Sequence, residues 1–533
     1  MKHLFLYSSI LLAFSMVSCK KFLSTTPTDF LTPDAYYNSE SKVMSALAGV
    51  YQPLGSSALY GDALFFTLGT GTDESFRAVA SATTGVWVYN YDYTEPAVNN
   101  LWSQLYAGIE RANLLIANIN VAPMDETKRK AILGEALFMR GYYYFLLVSN
   151  FGDVPLQITP TSSPKNISRP RTPAKEVYAQ IIQDMQTAEG NVYTSTELGY
   201  SSRISKTTIA GILARVCLTM AGYPLLDNSK YAEALKWASK VKASGEHSLI
   251  TQAVAPDGDN NSGFSQVFVN EMQDKYDVRE TMWEAEEKGN RADGYVANGR
   301  VGNDIGIGYT AANYADSGYC YGTIRITERL YKLYGKGDLR KNWAIGAFSY
   351  TAAGARTYFA DNKIYDRAAA KWRRTYETLT PKDKNYNGAN FPLLRYADVL
   401  LMLAEAENQV NGPTAVAYDA INMVRRRGYG LPVTAASADA DLTPGLGKQA
   451  FQQAIQDERS RELCFEAMRR ADLIRWGIFI PTMKAVAAEF KAYNGTYAYG
   501  ANAGNNVSER NVLYPIPSSE MTVNKAAVQN PGW

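Results

Sequence analysis

"YADVLLMLAEAENQVNGPTAVAYDAINMVRRRG", residues 396–428, decides the fold class. Two helical runs, 396–412 and 413–428, meet at Gly412 and Pro413. Glycine closes a helix readily, and proline is tolerated at the start of the next. Small residues alternate with large ones along both runs, which suggests a helical repeat of tetratricopeptide type. The consensus and fixed period of that repeat are met only loosely. The same helix-turn-helix logic appears upstream. "IAGILARVCLTMAG" (209–222) puts Ala210, Leu213, Ala214, Cys217, Leu218 and Ala221 on one face, and "YAEALKWASKVKASG" (231–245) follows after a short turn.

Further out, Trp102, Leu105, Tyr106, Ile109, Asn113 and Ile116 recur at helical spacing. "GEALFMRGYYYFLLVSNFGDVPL" (134–156) reads as a second helix stopped at Gly152 and Pro155, and "TPAKEVYAQIIQDMQTAEG" (172–190) as a third, opened by Thr172 and Pro173. The helical frame is thus expected over about 40–55, 97–245 and 391–480. Stretches 55–96 and 246–390 differ: they are rich in Gly, Tyr, Asn and Asp and read as long ordered loops with short strands. Loops of that length in a folded protein carry function. The expected class is mainly α, with tetratricopeptide-like helix pairs supporting a loop-rich half.

At the amino terminus, Lys2 precedes an apolar run from Leu4 to Val17. Its 14 residues fall short of the ~20 that span a bilayer, so it reads as a secretory signal. Ser18 before Cys19 resembles a bacterial lipobox, in which the cysteine becomes acylated, although Met16 stands where leucine is usual. Residues 1–18 are then the signal peptide and 19–533 the mature protein, anchored to a membrane through acylated Cys19. The alternative is an ordinary export signal in which Cys19 is incidental.

Without Lys2 the chain carries 53 basic and 52 acidic residues, so it lacks the basic excess of a nucleic-acid binder. Cys217, Cys320 and Cys464 show no CxxC spacing and read as buried thiols. His247 is the one histidine of the mature chain, which excludes an HExxH metal site and makes Ser-His-Asp or Cys-His chemistry implausible unless it is the base. Glycine clusters such as "GTGT" lack the context of a phosphate loop. No cofactor is expected. Tyrosine is the biased residue, with 37 copies, and its flat apolar face with a polar edge suits the gripping of wet ligands.

"ERSRELCFEAMRRADLIRW" (458–476) places Glu458, Glu462 and Glu466 on one helical face, interleaved with Arg459, Arg461, Arg469 and Arg470. Paired carboxylates can run glycosidase chemistry. Carboxylates held by arginine stay ionised and make poor acids, so an ion-pair network is expected and no catalytic residue is assigned. Arg395 with Asp398, and Glu405 with Arg425 or Arg426, are expected to pair in the same way. "DKNYNGAN" (383–390) matches the start of an EF-hand loop through Asp383, Asn385, Asn387 and Gly388. Leu394 occupies the closing ligand position, so a turn accounts for it and no metal is assigned. In "TGVWVYNYDYTEP" (84–96), Trp87, Tyr89, Tyr91 and Tyr93 alternate at period two, which would put all four on one face of a strand. That face is either half-buried core or a stacking platform for sugar rings. Trp283 reads as core.

Taken in order, "CKKFLSTTPTDF", "LWSQLYAGIERANLL", "GEALFMRGYYYFLLVSNFGDVPL", "RISKTTIAGILARVCLTMAG", "FPLLRYADVLLMLAEAEN", "ERSRELCFEAMRRADLIRWG" and "LYPIPSSEMTVNKAAVQNPGW" resemble the SusD/RagB family of outer-membrane nutrient-binding lipoproteins. The resemblance spans nearly the whole chain. It implies a non-catalytic surface protein that captures oligosaccharides, or peptides in some lineages, and caps a SusC-like TonB-dependent transporter. Family ligand-binding aromatics lie in the loops before the "LWSQLY" helix and in the middle loop region. That points to Trp87, Tyr89 and Tyr91 with Asp73 and Arg77, and to Tyr309, Tyr314, Tyr319 and Tyr321. A surface carboxylate glycosidase and a pure protein-binding scaffold are the competing classes. The first lacks an acidic pair free of arginine; the second would not need so many aromatic loops.

Overall fold

The computed structural model describes residues 33–533 apart from 164–167, 293, 295–297 and 313. The signal peptide 1–18, the lipidation candidate Cys19 and the tether from Lys20 to Phe30 lie outside the described residues.

The paired helices form the frame. Helix α1 (Glu40–Tyr51) packs on α2 (Pro96–Asn118) and α3 (Glu126–Phe151), and α3 on α4 (Ala174–Glu189). α5 (Lys206–Ala221) packs on α4 and on α6 (Lys230–Ser244). After α7 (Gly263–Met272) in the loop half, α8 (Tyr396–Asn411) packs on α6, α9 (Ala415–Gly428) and α10 (Lys448–Leu463). α11 (Arg469–Arg475) and α12 (Phe479–Tyr493) close the series. Local chemistry sets the boundaries. Asp125 accepts from Lys128 N at 3.0 Å to start α3, Ser205 accepts from Thr208 N at 3.2 Å to start α5, and Gly152 and Gly412 end α3 and α8 with φ of 73° and 85°. Gly108 lets α2 and α3 approach closely, because a Cβ there would lie 2.4 Å from the Tyr143 ring.

α3 is long and apolar enough to cross a membrane, yet 94% of its apolar window is buried inside the protein, so it is a core helix. Its Tyr142, Tyr143 and Tyr144 are fully buried. Tyr143 donates to Val50 O at 2.6 Å and Tyr144 to Gln157 O at 2.9 Å. Part of the tyrosine excess therefore serves the core, each ring paying for its hydroxyl with a bond. One apolar cluster runs from Tyr37 to Ile516 and includes Trp283 and Trp372 of the loop half. Cys217, Cys320 and Cys464 are free and buried, and burial pushes each thiol up to about 12. His247 is buried between Thr207 Oγ1 (2.7 Å) and Val278 O (2.9 Å).

The strands are short and pair in antiparallel twos: β1 (Ser75–Arg77) with β3 (Ile324–Ile326), β2 (Thr281–Ala285) with β6 (Phe391–Arg395), and β4 (Phe348–Tyr350) with β5 (Arg356–Tyr358). Every residue of β2 and β6 is buried, and β6 runs directly into α8. It delivers Arg395 to the centre of the protein.

There the expected ion-pair network forms, with different partners in part. Fully buried Glu462 accepts from Arg340 (3.0 Å), Arg395 (2.9 Å) and Arg427. Glu458 accepts from Arg340 (2.6 Å), Arg425 (3.0 Å) and Arg461 (2.9 Å). Glu466 accepts from Arg395 (2.7 Å) and Lys371 (2.6 Å). Burial alone would raise the carboxyl of Glu458, but Arg340, Arg461 and Arg425 outweigh it and hold the group far below the usual range.

Two pairings differ from expectation. Arg395 bonds Glu280, Glu462 and Glu466, while Asp398 takes Arg215 and Arg459, which outweigh burial and push it down to about 2. Glu405 takes Arg475 and Trp476, leaving Arg425 to Glu458 and Arg426 to Asp441. Proximity misled for Arg395 and Asp398, which reach to other elements, and Glu405 turns to α11 instead of α9. Glu466 also leaves the expected helical face: α10 ends at Leu463 and Phe465 adopts φ of 66°, so a turn brings the third carboxylate in.

Glu462→Gln strips three guanidinium groups of a shared carboxylate and should cost about 3–5 kcal/mol of stability. Lys128→Ala, which breaks an exposed pair with Glu40, should cost no more than about 1 kcal/mol. Denaturant midpoints of the two variants check the contrast.

Candidate functional site

The 84–96 stretch is a turn, and this decides which aromatics face outward. Gly85 adopts φ of 107°, Val86–Val88 form a 3-10 turn, and Tyr89 sits at φ of 54°. The chain closes on itself through Asn90 N to Gly85 O. Period-two alternation is therefore absent, and the strand expectation is corrected. Tyr89 is 3% exposed, donates to Gly71 O at 2.8 Å and meets Phe479 edge-on. Tyr91 is buried against Tyr514 and Trp533. Tyr93 is exposed. Trp87 remains half-buried at the tip.

Arg77, at the end of β1, carries the polar part of this patch. Its guanidinium lies 4.1 Å from the Trp87 ring centroid and 5.2 Å from that of Phe66. Asp73 takes a different role from the one expected. It is buried and bound bidentately by Arg469 at 2.7 and 2.8 Å, so it ties the start of β1 to α11.

The second aromatic group arises from the middle loops. Tyr309 is buried, bridges to Cys320 through the backbone and packs 5.3 Å from Tyr350. Tyr314, Tyr319 and Tyr321 are half-buried and pack edge-to-face, with centroids 5.8 and 5.1 Å apart. Tyr321 donates to Asn385 Oδ1 at 3.0 Å, Lys384 stands over Tyr319, and the Arg300 guanidinium lies 5.6 Å from the Tyr321 ring.

A pair of carboxylates joins the two groups. Arg300 Nε lies 3.4 Å from Asp304 Oδ2 and 3.8 Å from Asp62 Oδ2, and both acids also act electrostatically on Arg77. Burial pushes Asp304 up to about 7, partly offset by Arg300. Arg77 Nε, Trp87 Nε1, Asp62 Oδ1 and Asp304 Oδ1 are all buried without a hydrogen-bond partner. Buried polar groups are rarely left so.

Asp62, Arg300, Asp304 and Asn385 are the functional candidates that sequence reasoning missed. Asn385 lay in the Asx-rich stretch, whose turn is now explained: Asp383 Oδ1 accepts from Asn385 N (2.8 Å) and Tyr386 N (2.9 Å), and Asn387 bonds Asn303. Those side chains diverge, and the described residues hold no group of three or more His, Cys, Asp or Glu arranged for a metal.

A mainly helical protein of tetratricopeptide-like frame, with an aromatic and charged face built from its loops, is the class these features define. Comparison with known proteins narrows it. A family model described as SusD family matches residues 348–533, and one described as starch-binding associating with outer membrane matches residues 21–218. A SusD-like protein of Formosa agariphila is 24% identical over 98% of this chain and 97% of its own. The starch-binding protein SusD of Bacteroides thetaiotaomicron is 29% identical over 31% of this chain and 25% of its own. A crystal structure of a SusD homolog from Bacteroides thetaiotaomicron superposes with a TM-score of 0.86 at 29% identity, covering 94% of this chain and 98% of that one. The chain belongs to the SusD/RagB family.

Asp304 gives a pH signature. With its carboxyl raised from 3.8 to about 7, the folded state binds more protons than the unfolded between those values. Its contribution to stability is therefore full below about pH 3.8 and is lost as pH rises through about 7. The melting temperature of wild type minus that of Asp304→Asn should fall steadily as pH rises across that window. A constant difference would show that Asp304 does not titrate there.

Proposed function

We propose that this protein is a non-catalytic lipoprotein of the outer-membrane surface that captures oligosaccharides and passes them to a SusC-like TonB-dependent transporter. One observation carries the reading. Flat rings of Trp87 and Tyr321 flank buried donors on Arg77 and Trp87 and buried acceptors on Asp62 and Asp304 that lack partners. A saccharide presents C–H faces that stack on rings and hydroxyls that both donate and accept, so it answers both features. Starch binding in the description of the amino-terminal family model, and in the name of the Bacteroides relative, supports the same ligand class. Acylation of Cys19 would supply the anchor.

The non-catalytic part rests on the acids. Glu458 and Glu462 are each bound by three arginines, which hold both carboxyls below the usual range and keep them ionised, and Glu466 is bound by Arg395 and Lys371. Asp62 and Asp304 share Arg300, but burial raises both carboxyls, so the non-catalytic reading rests on the glutamates. Wild type is expected to bind polymer without releasing reducing ends.

Trp87→Ala should weaken glycan binding by about 1–3 kcal/mol, the scale of one aromatic contact, with little change in melting temperature. Tyr89→Ala should do the reverse, costing about 3–5 kcal/mol of stability. Affinity electrophoresis and calorimetry against a panel of glycans and peptides read both. If Trp87→Ala binds every glycan as wild type does, or if only peptides bind, the reading falls. Cys19→Ala should leave the fold intact and move the protein out of the membrane fraction.

A further inference from the structure

The β4–β5 hairpin borders a cleft of about 320 Å³, lined by Tyr331, Lys341, Asn342, Tyr358, Phe359 and Arg367 among others. Arg367 is 6% exposed. Its Nη2 donates to Phe359 O (3.1 Å) and Ala360 O (3.2 Å), but its Nε has no partner. Among the described residues it forms no ion pair, whereas Arg340, Arg395 and Arg427, also buried, each hold carboxylates. Lys341, beside it, likewise pairs with no carboxylate and stands 3.7 Å from the Tyr331 ring centroid. The Arg367 guanidinium lies 5.4 Å from the same ring and 5.8 Å from that of Phe359. Asp361 lines the cleft too, exposed and paired with neither cation. Tyr358, the β5 residue opposite Phe348, presents a ring that is 65% exposed.

A buried guanidinium with an unfilled donor and a like-charged neighbour is costly unless an anion approaches. Its planar fork matches a carboxylate or a sulfate, and the adjoining rings match a pyranose face. We infer that this cleft is a second carbohydrate subsite that takes an anionic sugar residue, one bearing a carboxylate or a sulfate ester. The inference rests on the glycan-capture reading for its ligand class, but uses none of the residues of the Trp87 platform.

Affinity electrophoresis of the full chain in gels holding dextran, carboxymethyl-dextran or dextran sulfate tests it with one backbone and three charge states. Retardation should be stronger in at least one charged gel than in plain dextran, and the gel that retards identifies the anion. Lys341→Glu and Tyr358→Ala should each weaken that retardation about tenfold. Both sites are partly or largely exposed, so folding should survive. Lys336→Glu, an exposed site with the same change in charge, should leave it intact. Equal loss in the two lysine variants would reduce the effect to general charge and overturn the subsite, as would equal retardation in all three gels. Trp87→Ala should not alter retardation in the charged gels. A platform reading that fails therefore shows in the neutral panel, separately from a subsite that fails.

Discussion

Glu462 is the point on which the two halves of the molecule meet. Arg340 comes from the loop half, Arg395 from the end of β6 and Arg427 from α9, and all three donate to one buried carboxylate. Glu280, just ahead of β2, takes Arg395 and Arg427 as well, and Asp338 takes Arg340. Isolated, each of these charges would be costly to bury; together they satisfy one another's donors and acceptors. The requirement that all be present at once fixes where β2, β6 and the 338–340 turn lie relative to α9 and α10. Apolar packing alone would not impose so specific a register.

The same logic reaches the Trp87 face. Asp73 and Glu74 immediately precede β1, and both are tied to the helical frame, Asp73 by Arg469 and Glu74 by Ser460 Oγ at 2.9 Å. Thr327, following β3, donates its hydroxyl to Asp73 O and its N–H to Glu74 O. The strand pair is thus clamped to α10 and α11, and Arg77 is held under Trp87 by backbone that has little freedom. Asp73, expected to touch ligand, serves as the residue that positions the strand. Preorganised donors and rings lose less entropy on binding, which is what a capture protein needs from loops.

Arginine plays opposite parts at different depths. Where carboxylates surround it, as at Arg340 and Arg395, it is structural. Arg77 and Arg367 instead stand over aromatic rings and form no ion pair among the described residues. Sequence composition treats these arginines alike; burial and partner counts separate them.

Helix pairing, the helix stops at Gly152 and Gly412, the core role of Trp283 and the buried thiols were all legible in the sequence, because each depends on periodicity or on chemistry within a few residues; Thr172, in contrast, caps no helix, since α4 begins at Ala174 behind Pro173. The ordered series of motifs from residue 19 to 533 also sufficed for the family. Which aromatics face a ligand was not legible. Period two promised four rings on one strand face, but Gly85 at positive φ and Tyr89 in the left-handed region turned that stretch into a knot, sending Tyr89 and Tyr91 inward and leaving Trp87 outside. The partners of Arg395, Asp398 and Glu405 were equally hidden, since each reaches across elements far apart in the chain. Asp62 and Asp304 meet Arg77 and Arg300, and Asn385 meets Tyr321, from stretches with no shared spacing, so only the tertiary structure could bring them together.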